Sequence, residues 1–247
     1  MAVIAGNWKM HHGPTEALNF FSEFEAGALP STHELIVFPP IASLHAVATS
    51  EQRDSRVQIG VQNVHWEDSG AFTGEISAHM AKDAGATFAL VGHSERRHVF
   101  GETVMQTSLK VDVLIRAGLV PVLCVGETIQ ERQAGLVEEV ILRQLEVALD
   151  SLCSAPRFLV AYEPVWAIGT GETATPEDAM FAHGTLRRRL ERALSATDAS
   201  RVPILYGGSV KPGNAEELME ARDVDGLLVG GASLDATSFR KIATASG

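Results

Sequence analysis

Glu163 stands directly after the apolar run Phe158 to Ala161 and Tyr162, so its carboxylate is placed at the end of a buried strand. A charge there is costly unless it has a partner or a task. Two readings stay open from this residue alone: a general base, or the partner of an arginine on the rim. The segment Pro164 to Gly171 that follows is too apolar for an idle surface loop. It is expected to act as a lid that buries its apolar side chains over a ligand and excludes water. His93 follows Phe88 to Val91 and Gly92 and precedes Ser94-Glu95-Arg96, the pattern of a strand end that opens into a short helix. A helix start disfavours protonation, which leaves a neutral imidazole able to donate a hydrogen bond to a developing oxyanion. Structural roles are the commoner fate of the 9 histidines. The adjacent His11 and His12 point apart on a helix and cannot share a metal, so no metal site is expected. Lys9, in Asn7-Trp8-Lys9 at the end of the first apolar run, reads by itself as a solvated lysine. Opposite a carboxylate and a neutral imidazole, it supplies the point cation that an anionic substrate needs.

Two glycine pairs suggest what the anion is. Gly207-Gly208-Ser209 and Gly230-Gly231 each follow an apolar run and let backbone N–H groups approach a phosphate closely. Tight turns need glycine as well, so each pair alone is weak. Their occurrence at consecutive strand ends strengthens the phosphate reading.

The elements that must position these residues come from eight short apolar runs: Val3 to Ala5, Leu35 to Phe38, Val57 to Val61, Phe88 to Val91, Val120 to Val125, Phe158 to Ala161, Val202 to Tyr206 and Leu227 to Val229. Each is followed by a segment of helical period, clearest in Val137, Val140, Ile141, Leu145, Ala148 and Leu149. Thr175-Pro176-Glu177-Asp178 combines a capping hydroxyl, a first-turn proline and a carboxylate three residues after the cap, so a helix starts there. Continuously apolar strands in βα alternation imply a parallel sheet covered by helices. The pattern alone leaves a closed barrel and an open doubly wound sheet as alternatives. No linker or low-complexity tract interrupts residues 1–247, which are expected to form one α/β domain.

Composition narrows the partners. With 20 Lys and Arg against 31 Asp and Glu, the formal net charge of −11 opposes attraction to nucleic acid or an anionic membrane surface. The 2 cysteines, Cys124 and Cys153, form neither a disulfide framework nor a zinc spacing and fit a reducing cytoplasm. No run approaches the length of a membrane span, and the first residues lack the pattern of a signal peptide.

The strings NWKM at 7 to 10, GAFTGE at 70 to 75, GHSERR at 92 to 97, FGE at 100 to 102, LCVGET at 123 to 128, YEPVWAIGTG at 162 to 171, YGGSV at 206 to 210 and GLLVGGASL at 226 to 234 resemble the triosephosphate isomerase family over nearly the whole chain. The resemblance implies a single (β/α)8 TIM barrel and interconversion of dihydroxyacetone phosphate and glyceraldehyde 3-phosphate through an enediolate, with no cofactor. By the family's own scheme, Glu163 is the proton-abstracting base and His93 polarises and shuttles protons between the two oxygens. Lys9 stabilises their charge and Asn7 orients the substrate. Gly169, Ser209, Gly230 and Gly231 hold the phosphate. Glu95, Cys124, Glu127 and Tyr206 support these groups, Tyr206 by meeting the closed lid. A buried apolar role for Cys124 is an equal alternative. Gln62 to Glu75 resembles the loop that enters a neighbouring subunit, with Phe72 and Thr73 at its tip, so a homodimer is implied. His11-His12-Gly13-Pro14 departs from the family pattern in a loop expected to face that partner.

Two rival classes remain. Another phosphate-binding barrel isomerase or lyase would share the glycine pairs but need a different base, a metal or a Schiff-base lysine. A non-catalytic barrel would be expected to lack one of Lys9, His93 or Glu163.

Overall fold

A computed structural model describes residues 2–168 and 174–245. Eight strands are present: β1 Val3–Asn7, β2 Glu34–Phe38, β3 Val57–Val61, β4 Phe88–Val91, β5 Val120–Val125, β6 Leu159–Tyr162, β7 Ile204–Tyr206 and β8 Gly226–Val229. All pair in parallel with their sequence neighbours. The open-sheet alternative falls because β1 also pairs with β8, Val3 opposite Gly226 through Gly6 opposite Val229, which closes the barrel.

The continuous apolar runs have a simple cause. Within β1, Val3 and Ala5 face the barrel interior with Phe38, Phe88, Leu90 and Leu159, while Ile4 between them faces the helices with Leu35, Val37 and Phe239. Side chains alternate in direction along a strand, but here both directions are buried, so no polar alternation is left in the sequence. The boundaries moved slightly. β1 runs on to Asn7, β6 starts one residue later than expected, and β7 starts at Ile204, after Pro203, which has no N–H for the ladder.

Side-chain caps mark several of the helix starts. Thr175 Oγ1 accepts from Asp178 N at 3.2 Å, Asp178 Oδ2 accepts from Thr175 N at 3.1 Å, and Pro176 opens the helix Pro176–Ala193 as expected. The helix Val137–Ser154 buries Val140, Ile141, Leu145, Ala148 and Leu149 against the barrel, the face that the periodicity marked. Among the described residues, no helix is long and apolar enough to cross a membrane.

Candidate active site

The carboxyl ends of β1, β4, β6, β7 and β8 bring together residues far apart in sequence. Glu163 continues β6, where its N–H donates to Val125 O at 2.8 Å, and it is almost fully buried. Both of its carboxylate oxygens are occupied. Oε2 accepts from Ser94 N at 2.8 Å, and Oε1 lies 2.9 Å from His93 Nε2. Burial disfavours the charge, but His93, the Ser94 N–H and Lys9 outweigh it and hold the carboxyl below its ordinary pKa. Glu163 is therefore ionised. The rim-arginine alternative does not hold, because its partners are an imidazole and a backbone N–H.

His93 caps the short helix Ser94–His98, and its Nδ1 accepts from Glu95 N at 3.3 Å. With Nδ1 used as an acceptor, the ring proton sits on Nε2 and points at Glu163. The helix start alone led to the expectation of a ring kept neutral by disfavoured protonation. Burial does press against the cation, yet the charge and hydrogen bond of Glu163 prevail and raise the His93 pKa. Neutrality is thus conditional on where the Glu163 carboxylate lies.

Lys9 sits beyond β1 with a left-handed φ of 52°, a strained backbone for a residue with a side chain. Asn7 Oδ1 accepts from Lys9 N at 3.0 Å, and Gln62 Nε2 donates to Lys9 O at 2.8 Å. The turn is pinned from both sides. Lys9 Nζ lies 2.7 Å from Glu95 Oε1, while Glu95 Oε2 is 3.7 Å from His93 Nδ1. Glu95 thus links the cation to the imidazole. Lys9 also reaches the last strand end, since a methyl group placed on Gly230 would come within 3.9 Å of Nζ. A cavity of about 230 Å³ opens among Asn7, Lys9, Gln62, His93, Glu95 and Phe100. A larger recess of about 400 Å³, between Cys153, Arg157, Phe158 and Val202, lies at the amino-terminal ends of β6 and β7 and contains no acid–base pair of this kind.

The supporting residues sort clearly. Cys124 is fully buried in β5; burial first, then the charge of Glu163, pushes its thiol pKa well up, so it packs beside the base as a neutral group. Glu127 Oε1 accepts from Trp166 Nε1 at 2.8 Å and Tyr162 Oη at 3.1 Å, and burial raises its pKa. It grips the foot of the segment after Pro164, where Val165–Ala167 forms a 3₁₀ turn and Arg132 stacks 4.4 Å from the Trp166 ring. The Tyr206 hydroxyl is buried and makes no hydrogen bond among the described residues. Of the lid Pro164 to Gly171, residues 169–171, Gly169 among them, lie outside the described residues. Ser209 follows β7, its carbonyl accepting from Asn214 Nδ2 at 3.0 Å, and Gly231 opens the 3₁₀ turn Gly231–Ser233 after β8. Phe72 and Thr73 are exposed at the tip of their loop, with the Phe72 ring tilted 30° against His65 at a centroid distance of 4.2 Å. No cluster of His, Cys, Asp and Glu among the described residues could hold a metal.

Several residues of the site had not been anticipated. Ser94 serves through its backbone N–H, which has no side-chain signature. Gly126 is required by close approach: a Cβ there would sit 1.7 Å from Glu163 O. Glu102, in the FGE string, is buried with Lys110 at 2.5 Å, accepts from Arg96 Nε at 3.2 Å and from Gly92 N at 3.1 Å, and so anchors the turn before His93.

The comparisons agree with this geometry. The profile of the family described as triosephosphate isomerase matches residues 2–246. A triosephosphate isomerase of Acidithiobacillus ferrooxidans is 47% identical over 248 residues, covering 99% of this chain and 96% of the relative. Those of Chlamydia trachomatis and a Synechococcus strain are 45% and 44% identical, each over 97% of this chain and over 88% and 95% of their own lengths. Catalytic strand ends, barrel and sequence point the same way, and the chain belongs to the triosephosphate isomerase family.

Proposed function

We propose that Glu163 is the base with which this isomerase interconverts dihydroxyacetone phosphate and glyceraldehyde 3-phosphate. The observation that carries the assignment is the ionised, buried carboxylate sharing the Nε2 proton of His93. In the free enzyme that proton is directed at Glu163; in the complex it is directed at the substrate carbonyl oxygen. Loss of the His93 contact frees Oε1 to take a proton from the adjacent carbon. It also removes the charge that favours the imidazolium, so the ring stays the neutral donor that an enediolate oxygen needs. The acid form of Glu163 then returns the proton to the neighbouring carbon, and His93 moves the other proton between the oxygens. Lys9 lies against both developing charges, and Asn7 fixes the turn that carries it.

Each part has a measurable share. General base action is worth roughly 10²–10⁴-fold, and one oxyanion donor roughly 10²–10³-fold. Neither suffices alone. The phosphate, held by Ser209, Gly230 and Gly231 together with Gly169 of the lid, does not react, so its binding energy is available to orient the substrate and close the lid. The Tyr206 hydroxyl, which makes no hydrogen bond among the described residues, supports a contact with that lid in its closed position. Every proton transfer in this scheme is assigned to side chains of the chain itself.

Residues 1–247 are read as one catalytic domain that acts as a cytoplasmic homodimer, with neither nucleic acid nor membrane as partner. Exposed Met10 and Phe100 at the cavity, with exposed Val99 next in sequence and Phe72 on its own loop, support a self-complementary surface. The deciding experiment is turnover of triose phosphate in heavy water. Solvent hydrogen is expected in the product at the carbon that exchanges, with Glu163→Gln lowering both exchange and turnover by roughly 10²–10⁴-fold. Undiminished exchange in the variant overturns the base assignment.

A further inference from the structure

His12 is half-buried in the loop after β1 and has a φ of 65°, a left-handed conformation that costs energy for any residue with a Cβ. The sequence led to the expectation that His11 to Pro14 faces a partner. His11 is exposed, but the His12 ring turns inward. It stands edge-on to Trp8, with centroids 4.9 Å apart and planes at 87°, and its Nε2 lies 2.9 Å from Leu234 O. Because that partner is a carbonyl, Nε2 carries the hydrogen and donates. The His12 carbonyl in turn accepts from Ser43 Oγ at 2.7 Å.

Trp8 makes the companion contact, with Nε1 donating to Ser233 O at 3.0 Å. Two side chains of the loop after β1 therefore hold two consecutive carbonyls of the loop after β8. The connection continues, because Ser233 Oγ donates to Gly230 O at 2.7 Å. One end of this chain of contacts is three residues from Lys9, and the other is the Gly230-Gly231 turn.

We propose that His12 is a positioning residue that sets the separation between the Lys9 cation and the phosphate-holding turn after β8. The proposal rests on the reading of that turn as a phosphate site. Trp8 fixes Ser233 from within the core, and His12 fixes Leu234 from the loop side, so the turn is held at two successive points and cannot pivot about one. A slightly displaced turn holds the phosphate more weakly in ground state and transition state alike, without moving a reacting group. The loss should therefore fall on KM rather than on kcat.

His12→Gly tests this cleanly, because glycine adopts a φ near 65° without strain and the backbone need not move. The expected result is a rise of about five-fold in KM and an equal rise in the inhibition constant of inorganic phosphate, the scale of one lost hydrogen bond. In His12→Gln the side-chain amide N–H reaches about where imidazole Nε2 stood, so both constants should return most of the way. Unchanged constants in His12→Gly, or a fall in kcat equal to the rise in KM with no recovery in His12→Gln, overturn the assignment. Failure of inorganic phosphate to compete with substrate in the unmodified protein overturns the reading of the turn itself.

Discussion

Glu163 has no idle oxygen before a substrate arrives, and this fixes what its neighbours can do. On the proposed reading, a substrate oxygen must accept the His93 Nε2 hydrogen bond to release the Glu163 carboxylate, so recognition of the carbonyl and activation of the base become one event. Lys9 contributes differently. Its ammonium is held by Glu95 at 2.7 Å at the cavity edge, where it is partly solvated. It acts by charge at a fixed point, which a backbone φ of 52° and two hydrogen bonds to its peptide units define. Lys9→Ala is expected to lower kcat/KM by at least about 10²-fold in steady-state kinetics; undiminished kcat/KM would remove its electrostatic role. Lys9, His93 and Glu163 were legible because each follows an apolar run at a strand end. Ser94 was not, because its contribution is a peptide N–H.

At the level of elements, β3, β4 and β5 were read to the residue because burial on both faces leaves their sequences almost entirely apolar, the half-buried Gln58 of β3, whose amide donates to Glu34, being the polar exception. What the sequence could not display is contact between elements. Lys110 of the helix Val104–Ala117 donates to Asn63 Oδ1, 47 positions away, at 2.7 Å, and its ammonium is buried against Glu102. No periodicity encodes that pairing. Burial penalises Glu102, but Lys110 and Arg96 outweigh it and depress its pKa; burial lowers that of Lys110. Removing one partner leaves a buried charge uncompensated. Glu102→Ala is therefore expected to cost roughly 3–5 kcal/mol in chemical denaturation. It should also lower kcat, because Gly92 N loses the acceptor that holds the turn into His93. A variant with wild-type denaturation midpoint and kcat would refute this anchoring role.

For the molecule as a whole, two expectations follow. Thr73→Arg, at the exposed loop tip, should shift light scattering toward monomer at low protein concentration, by placing charge in the surface proposed to pack against its own copy. Stability should also fall on mild acidification. His183 is fully buried, with Nδ1 3.0 Å from Asp223 O, and burial lowers its pKa to about 4. Between the unfolded value near 6.5 and about 4, the unfolded chain binds a proton that the folded one refuses. Stability is therefore unaffected by His183 above that window and drops as pH falls through it. From pH 7 to 5 the loss is about 2 kcal/mol. Urea midpoints of His183→Gln should lose correspondingly less over the same interval, and an identical loss would assign the effect elsewhere.

The seam between β1 and β8 has one more implication. It joins Trp8 to Ser233 across 225 positions of sequence, and Lys9 and the turn proposed to hold the phosphate lie on opposite sides of that junction. During biosynthesis the early half of the reactive centre leaves the ribosome long before its counterpart exists. Nascent chains must stay inert until β8 docks, so competence to turn over substrate is acquired in a single late step.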